Sequence, residues 1–174
     1  GVLDHNFKTS TIVLSNENSE VDSASYGAKA AGIDFLRKQL DESQNHLPFA
    51  IAIPIYFQKK FFETSYVEGR PLKEWIEEKL ADLKDQDPIL RSSSLKEIRE
   101  TILSTPLQAS LLDMIHERLK ELTLEMGKTD LLFLRSSSNA EDHELFKGAG
   151  LYDSKKAKLS DRDSLEQALK TVWA

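Results

Sequence analysis

The chain has 174 residues, 40% of them hydrophobic and 30% charged, a balance that builds one packed soluble domain without staples. A formal net charge of −6 argues against a general nucleic-acid or anionic-membrane surface, and no apolar run is long enough to span a bilayer. The absence of cysteine removes disulfides and thiolate metal sites.

In chain order, Ser10–Ser15 (STIVLS) reads as a short β-branched strand. A polar connector leads into SYGAKAAGIDFLRKQL, which spaces Ala28, Ala31, Phe35, Leu36 and Leu40 as the inward face of a helix, with Ser23 or Ser25 as N-cap. Phe49–Ile53 (FAIAI) reads as a buried strand. It ends at Pro54, which suits the first position of a helix carrying Phe57 and Phe61 one turn apart. Gly69–Pro71 punctuates the chain.

A helical middle follows, over 70–127. Leu72, Ile76, Leu80 and Leu83 form one stripe. Ser94–Glu97 has the spacing of a capping box and predicts the start of a helix carrying Leu95, Ile98 and Ile102. Thr105–Gln108 predicts another start, with Pro106 first in the helix and Leu111, Ile115, Leu119 and Leu122 along its face until Gly127. DLLFLR is the next strand, continuously apolar over Leu131–Leu134 and so expected to be buried on both faces. GAGLYDS leads toward another strand. Leu165, Ala168, Leu169 and Val172 then mark a last amphipathic helix. That helix reaches Ala174 without a stop signal, and the chain opens at Gly1 without methionine, so the sequence reads as a piece of something longer. Strands at both ends around a run of helices predict an α+β or mixed α/β fold.

The chemistry concentrates where the strand LLFL ends. Arg135 follows it directly and offers five donors in a fixed fork matched to phosphate or carboxylate. Ser136, Ser137 and Ser138 add hydroxyls and exposed backbone amides, and together with Arg135 they make an oxyanion-binding lip. Composition alone equally allows Arg135 to pair with Glu141 or Asp142 while the serines shape a turn. Lys29, early in a helix among small residues, can act as a point charge on phosphate or stand as a solvated helix lysine. Lys147–Gly150 (KGAG) is a phosphate lid or an ordinary hairpin tip. The four histidines, His5, His46, His116 and His143, show no metal-ligand spacing, and His116 reads as a surface residue. No metal site is predicted from side chains. The serines also lack the glycine-bracketed elbow of a hydrolase nucleophile.

LFLRSSSNAEDHELFKGAGLYDS, followed by SLEQALKTVWA, resembles the N-terminal nucleotide-binding region of the phosphoenolpyruvate synthase and pyruvate phosphate dikinase family, shared by the glucan water dikinases. YGAKAAGIDFL is similar to the family's GGKGANLAEL helix, and LPFAIAIPIYFQKKF to its VPPGFVIP strand and following helix. The resemblance implies one subdomain of an ATP-grasp fold with a helical insertion, binding ATP with Mg²⁺. By that resemblance Lys29 and Arg135 neutralise the ATP phosphates, Arg135 being the catalytic residue. Ser136 and Ser137 shape the loop, Glu141 and Asp142 orient Arg135 or approach the metal, and the loop from Gly148 to Gly150 closes over the phosphates. Full enzymes of this kind phosphorylate a histidine on a swivelling domain, which passes the group to pyruvate or another acceptor; the sequence shows no secretory signal pattern, so the cytoplasm is the default expectation. The partners implied are ATP and further domains of the same polypeptide: the second ATP-grasp half and the phosphohistidine domain. This stretch alone is expected to bind ATP weakly and to transfer nothing. Two departures stand out: Ala28 and Ala30 replace glycines beside the lysine, and HELFKG replaces the usual LPGFxG. They keep a rival open, a degenerate binding or regulatory module without phosphoryl transfer. A helical interaction domain over 70–127 is a third reading.

Overall fold

The computed structural model describes residues 5–14, 20–39, 50–126, 130–137 and 154–174. Its elements, in order, are β1 (Val13–Leu14), α1 (Ser23–Tyr26), α2 (Ala28–Gln39), β2 (Ile51–Ala52), α3 (Ile55–Thr64), β3 (Tyr66–Val67), β4 (Arg70–Pro71), α4 (Leu72–Asp82), α5 (Pro88–Ser104), α6 (Ala109–Met126), β5 (Leu131–Leu134), β6 (Lys155–Lys158) and α7 (Arg162–Trp173). The fold is α+β, as expected, with a large helical share and short antiparallel strand pairs.

β1 pairs with β2, Val13 opposite Ala52. β3 and β4 form a tight hairpin whose central residues, Glu68 and Gly69, both have positive φ (53° and 79°). That is the twist a two-residue turn needs to match its strands. β5 and β6 pair over their full length, Leu131 opposite Lys158 and Leu134 opposite Lys155.

One core joins the two ends of the chain to the helical middle. Leu14 of β1, Phe61 of α3, Trp75 of α4, Ile115 of α6 and Leu165 of α7 are all buried in it. The helices over 70–127 therefore supply much of the main core. Two features bind α7 to the turn between α5 and α6. Glu166 accepts the Leu107 amide at 2.7 Å, and Lys170, only 2% exposed, donates to the Thr105 carbonyl at 3.1 Å. A lysine this buried keeps its charge solvated by protein groups instead of water, and here a carbonyl and the Glu166 carboxylate at 3.6 Å supply them. Arg118 Nε donates to the Ile12 carbonyl at 3.1 Å and ties α6 to the segment entering β1.

Several elements depart from the sequence reading. β5 is not buried on both faces: Leu132 and Leu134 pack on the core, while Leu131 and Phe133 are exposed. An all-apolar run carries no alternation that would reveal this. The helix expected to turn Phe35 and Leu36 inward leaves both more than half exposed. The face carrying Ala30, Ile33, Asp34 and Arg37 turns in instead, because small Ala30 lets α2 settle against Val13, Val21 and Tyr26. The same stretch breaks at Gly27, and α1 is capped by Asp22, whose carboxylate accepts the Ser25 amide at 2.8 Å. Helix α5 starts at Pro88 and not at Ser94. Asp87 accepts the amides of Ile89 and Leu90, each at 2.9 Å, and proline fits the first helical position. Helix α6 starts at Ala109, because Thr105–Gln108 is spent on closing α5 and contacting α7. Pro54 stands as N-cap, one residue before α3. His116 is not a surface residue: its side chain is 14% exposed and Nε2 lies 3.0 Å from the Leu159 carbonyl.

Candidate functional site

Gly27 and Ser137 meet although 110 positions separate them. Gly27 closes α1 with φ 87°, a backbone conformation that side chains rarely adopt. It then opens α2, its carbonyl accepting the Ala31 amide at 3.1 Å. A helix opened by glycine has no side chain to accept the amides of its first turn. Ser137 supplies that acceptor from across the fold: its Oγ takes the Ala30 amide at 2.8 Å. The approach is close enough that a Cβ on Gly27 would lie 1.3 Å from the Ser137 carbonyl oxygen. Glycine at this position is therefore a packing requirement as well as a turn requirement.

The junction carries the two cations of interest with it. Lys29 is the second residue of α2, adjacent to Ala30, and is exposed. Arg135 directly follows β5, two residues before Ser137, and is also exposed. Two residues of extended chain span about 7 Å, so both cations belong to segments held at one contact. The same place holds the N-terminal end of a twelve-residue helix, α2, where backbone N–H groups and the helix dipole favour an anion. Ser136 and Ser137 are half-buried. Glu141, Asp142, Gly148 and Gly150 lie outside the described residues.

The sheet beside the junction is basic. Lys155, Lys156 and Lys158 lie on β6, and Lys156 Nζ stands 5.8 Å from the centroid of the Phe133 ring. At the far end of β5, Asp130 accepts the hydroxyl and the amide of Ser160, each at 2.7 Å. The hydroxyl hydrogen bond, then the amide, holds its carboxyl below the usual carboxylate range. Among the described residues no group of three or more histidines, aspartates or glutamates stands together as a metal cage. No described helix is long and apolar enough to cross a membrane.

A hollow of about 880 Å³ lies elsewhere, among α3, α4, α5 and the end of α7, with Phe62, Ile76, Ile98 and Trp173 in its walls. None of the residues expected to touch phosphate lines it. Its wall is largely apolar, with Lys59, Lys73, Lys96 and Arg99 also lining it, and it is separate from the Gly27–Ser137 junction.

Sequence reasoning joined Lys29 and Arg135 through the family resemblance alone and grouped Ser137 with its neighbouring serines. It missed Gly27, although a glycine immediately before the AKA run was the available signal. It also missed that Ser137 caps α2.

Residues 23–174 match the family model described as pyruvate phosphate dikinase, AMP/ATP-binding domain. No curated protein matches the chain.

Proposed function

Because the chain belongs to the pyruvate phosphate dikinase AMP/ATP-binding domain family, we propose that it is the phosphate-gripping part of an ATP-dependent phosphotransferase. In that reaction a phosphoryl group passes from ATP to a histidine elsewhere in the polypeptide, and from there to pyruvate or another acceptor. The observation that carries the reading is the contact of Ser137 with Gly27 and Ala30, which holds the Lys29 segment and the Arg135 segment together.

Within the proposal each residue has a limited task. Arg135 offers its fork to two oxygens of the triphosphate, and Lys29 supplies a point charge beside the amides that open α2. Ser136 and Ser137 keep the strand exit in shape. Phosphoryl transfer asks mainly for positioning and charge neutralisation, and two cations on segments joined at the Gly27–Ser137 contact would serve both. Magnesium bound with ATP would neutralise part of the phosphate charge, leaving the rest to Lys29 and Arg135. The acids that follow Arg135 in sequence are Glu141 and Asp142, and in this reading they orient Arg135. Lys147–Gly150 serves as the lid. The reaction is placed in the cytoplasm, with the second ATP-grasp half and the phosphohistidine domain as its partners.

The test is titration of the full-length protein with ATP and magnesium, followed by transfer of radiolabelled phosphoryl to histidine. Arg135→Ala should weaken ATP binding by about tenfold or more, the effect of losing a charge-assisted phosphate contact. Unchanged affinity would sink the reading. Arg135-dependent binding with no phosphohistidine would instead favour the degenerate module, for which the alanines at 28 and 30 are the motive.

A further inference from the structure

We infer that the hollow among α3, α4, α5 and the end of α7 is a binding site for a small amphiphilic anion: a monomeric long-chain carboxylate, with its chain in the hollow and its head group on Arg99. The inference is independent of the phosphate reading, since none of the residues expected to touch phosphate lines the hollow. Its volume, about 880 Å³, lies within the range of clefts that enclose a small molecule. Phe62, Ile76, Leu80, Leu95, Ile98 and Trp173 make its apolar wall. Two of them stay open to solvent, Leu80 at 44% and Leu95 at 47% exposed. A single exposed leucine needs no explanation. These two come from different helices, α4 and α5, and line one hollow. Shared apolar surface with a charged rim is the mark of a ligand groove.

Shape and charge narrow the ligand. Leu95, Ile98 and Ile102 all line the hollow, and from the first to the last α5 rises about 10 Å. A long, narrow apolar wall suits a hydrocarbon chain. The rim is cationic: Lys59 of α3, Lys73 of α4, and Lys96 and Arg99 of α5 line it, and among the described side chains Glu77 is the one acid that does. That convergence of cations from three helices stands out in a chain of net charge −6. Three of the four have a glutamate one turn on: Lys59 meets Glu63 at 2.9 Å, Lys73 meets Glu77 at 3.9 Å and Lys96 meets Glu100 at 3.8 Å. Arg99 has no ion pair or hydrogen bond among the described residues. Its fork is thus open to the two oxygens of a carboxylate. Burial of the chain supplies most of the affinity, and Arg99 sets which end stays at the rim.

The test is calorimetric titration of the full-length protein with dodecanoate below its micellar range, beside decanoate, dodecanol and acetate. Dodecanoate should bind at one site. Decanoate should bind about tenfold more weakly, the cost of two missing methylenes, and acetate should not bind. Arg99→Gln should weaken dodecanoate by about tenfold and leave dodecanol unchanged, whereas Leu80→Asn should weaken both. Arg99 and Leu80 are exposed, so these variants should fold, and an unchanged thermal midpoint confirms that the comparison is one of binding. Dodecanoate that fails to bind, or that binds in several equivalents, overturns the site. So does dodecanoate that binds Arg99→Gln as tightly as the unaltered protein.

Discussion

The helical body and the Gly27–Ser137 junction are held together in opposite ways. In the body, α3, α4, α5, α6 and α7 share one apolar cluster, and residues such as Phe61 and Leu165 are fully buried within it. Its polar ties are multiple: Glu166 and Lys170 hold the α5–α6 turn, and His116 meets the Leu159 carbonyl. At the junction the described contacts are few: a hydroxyl on the Ala30 amide, a glycine packed on a carbonyl, and Tyr26 Oη donating to the Thr11 carbonyl at 2.6 Å. The cluster behind it is small, with Val13, Val21 and Tyr26 at its centre. The body fixes where β5 and α7 lie. The junction fixes where the Lys29 and Arg135 segments stand relative to each other. Stability and function should therefore be separable by mutation.

Phe61→Ala should give the largest effect. Phe61 is fully buried and its ring lies 5.2 Å from that of Phe62 and 5.7 Å from that of Trp173. Removing it leaves a cavity at the centre of the body and should cost about 3–5 kcal/mol in urea unfolding. The loss should be global, with fluorescence and circular dichroism reporting one transition. Two separate transitions would show that the body is not one cooperative unit.

Gly27→Ala comes next and probes the other region. The added methyl would have to share space with the Ser137 carbonyl, which is backbone and cannot swing aside, and the positive φ adds strain. The expected cost is about 2–3 kcal/mol if the junction stays shut. If it opens, the cost in global stability falls, amide exchange at Ala30 rises, and ATP affinity drops with it. A variant with native stability, native protection at Ala30 and native ATP affinity would mean that the two segments do not touch.

The body was largely legible in the sequence and the junction was not. The stripe of α7 follows the helical period, with Leu165 and Leu169 buried as their spacing says; in α4 Leu72 is buried, but Leu80 is exposed and Trp75, off the expected stripe, is buried. Where apolar residues exceed what one face needs, period fails. In LLFL every position is apolar, so only the register with β6 decides that Leu132 and Leu134 face in. In α2 the largest side chains, Phe35 and Leu36, lose the core to the smallest, because close packing at Ala30 sets the rotation of the helix. At α5 an Asp-Pro start outcompetes the Ser94 box: Asp87 accepts two amides, while Ser94 donates to the Gln86 side chain at 2.9 Å from within the helix. Arg135 was legible as a charge at a strand exit. Its relation to Lys29 came from the family resemblance and not from pattern or spacing, because the contact of Ser137 with Ala30 is made only through the fold.

Asp130 offers the smallest test, at the end of β5 that belongs to the body. Its carboxylate takes two hydrogen bonds from Ser160, and its carbonyl accepts the Leu159 amide at 2.8 Å, so it clips β5 to the chain between β6 and α7. Those bonds favour the ionised form, and the folded carboxyl titrates below its unfolded value. The contribution is thus fully present above the ordinary aspartate range, near pH 4, and is lost as the pH falls through the lowered folded value. Asp130→Asn removes the charge at every pH. The gap in thermal midpoint between the two proteins should be present at pH 7 and close progressively below pH 4. Other carboxylates titrate alike in both proteins and cancel in the difference. The site is open to solvent, so the gap should be modest. It should also leave ATP affinity untouched, since Asp130 lies at the opposite end of the strand from Arg135. A gap of constant size from pH 7 to pH 3 would show that the shape of the Asp130 side chain, and not its charge, holds the clip. A fall in ATP affinity would show that the body and the junction are coupled through β5 and are not the separable regions described above.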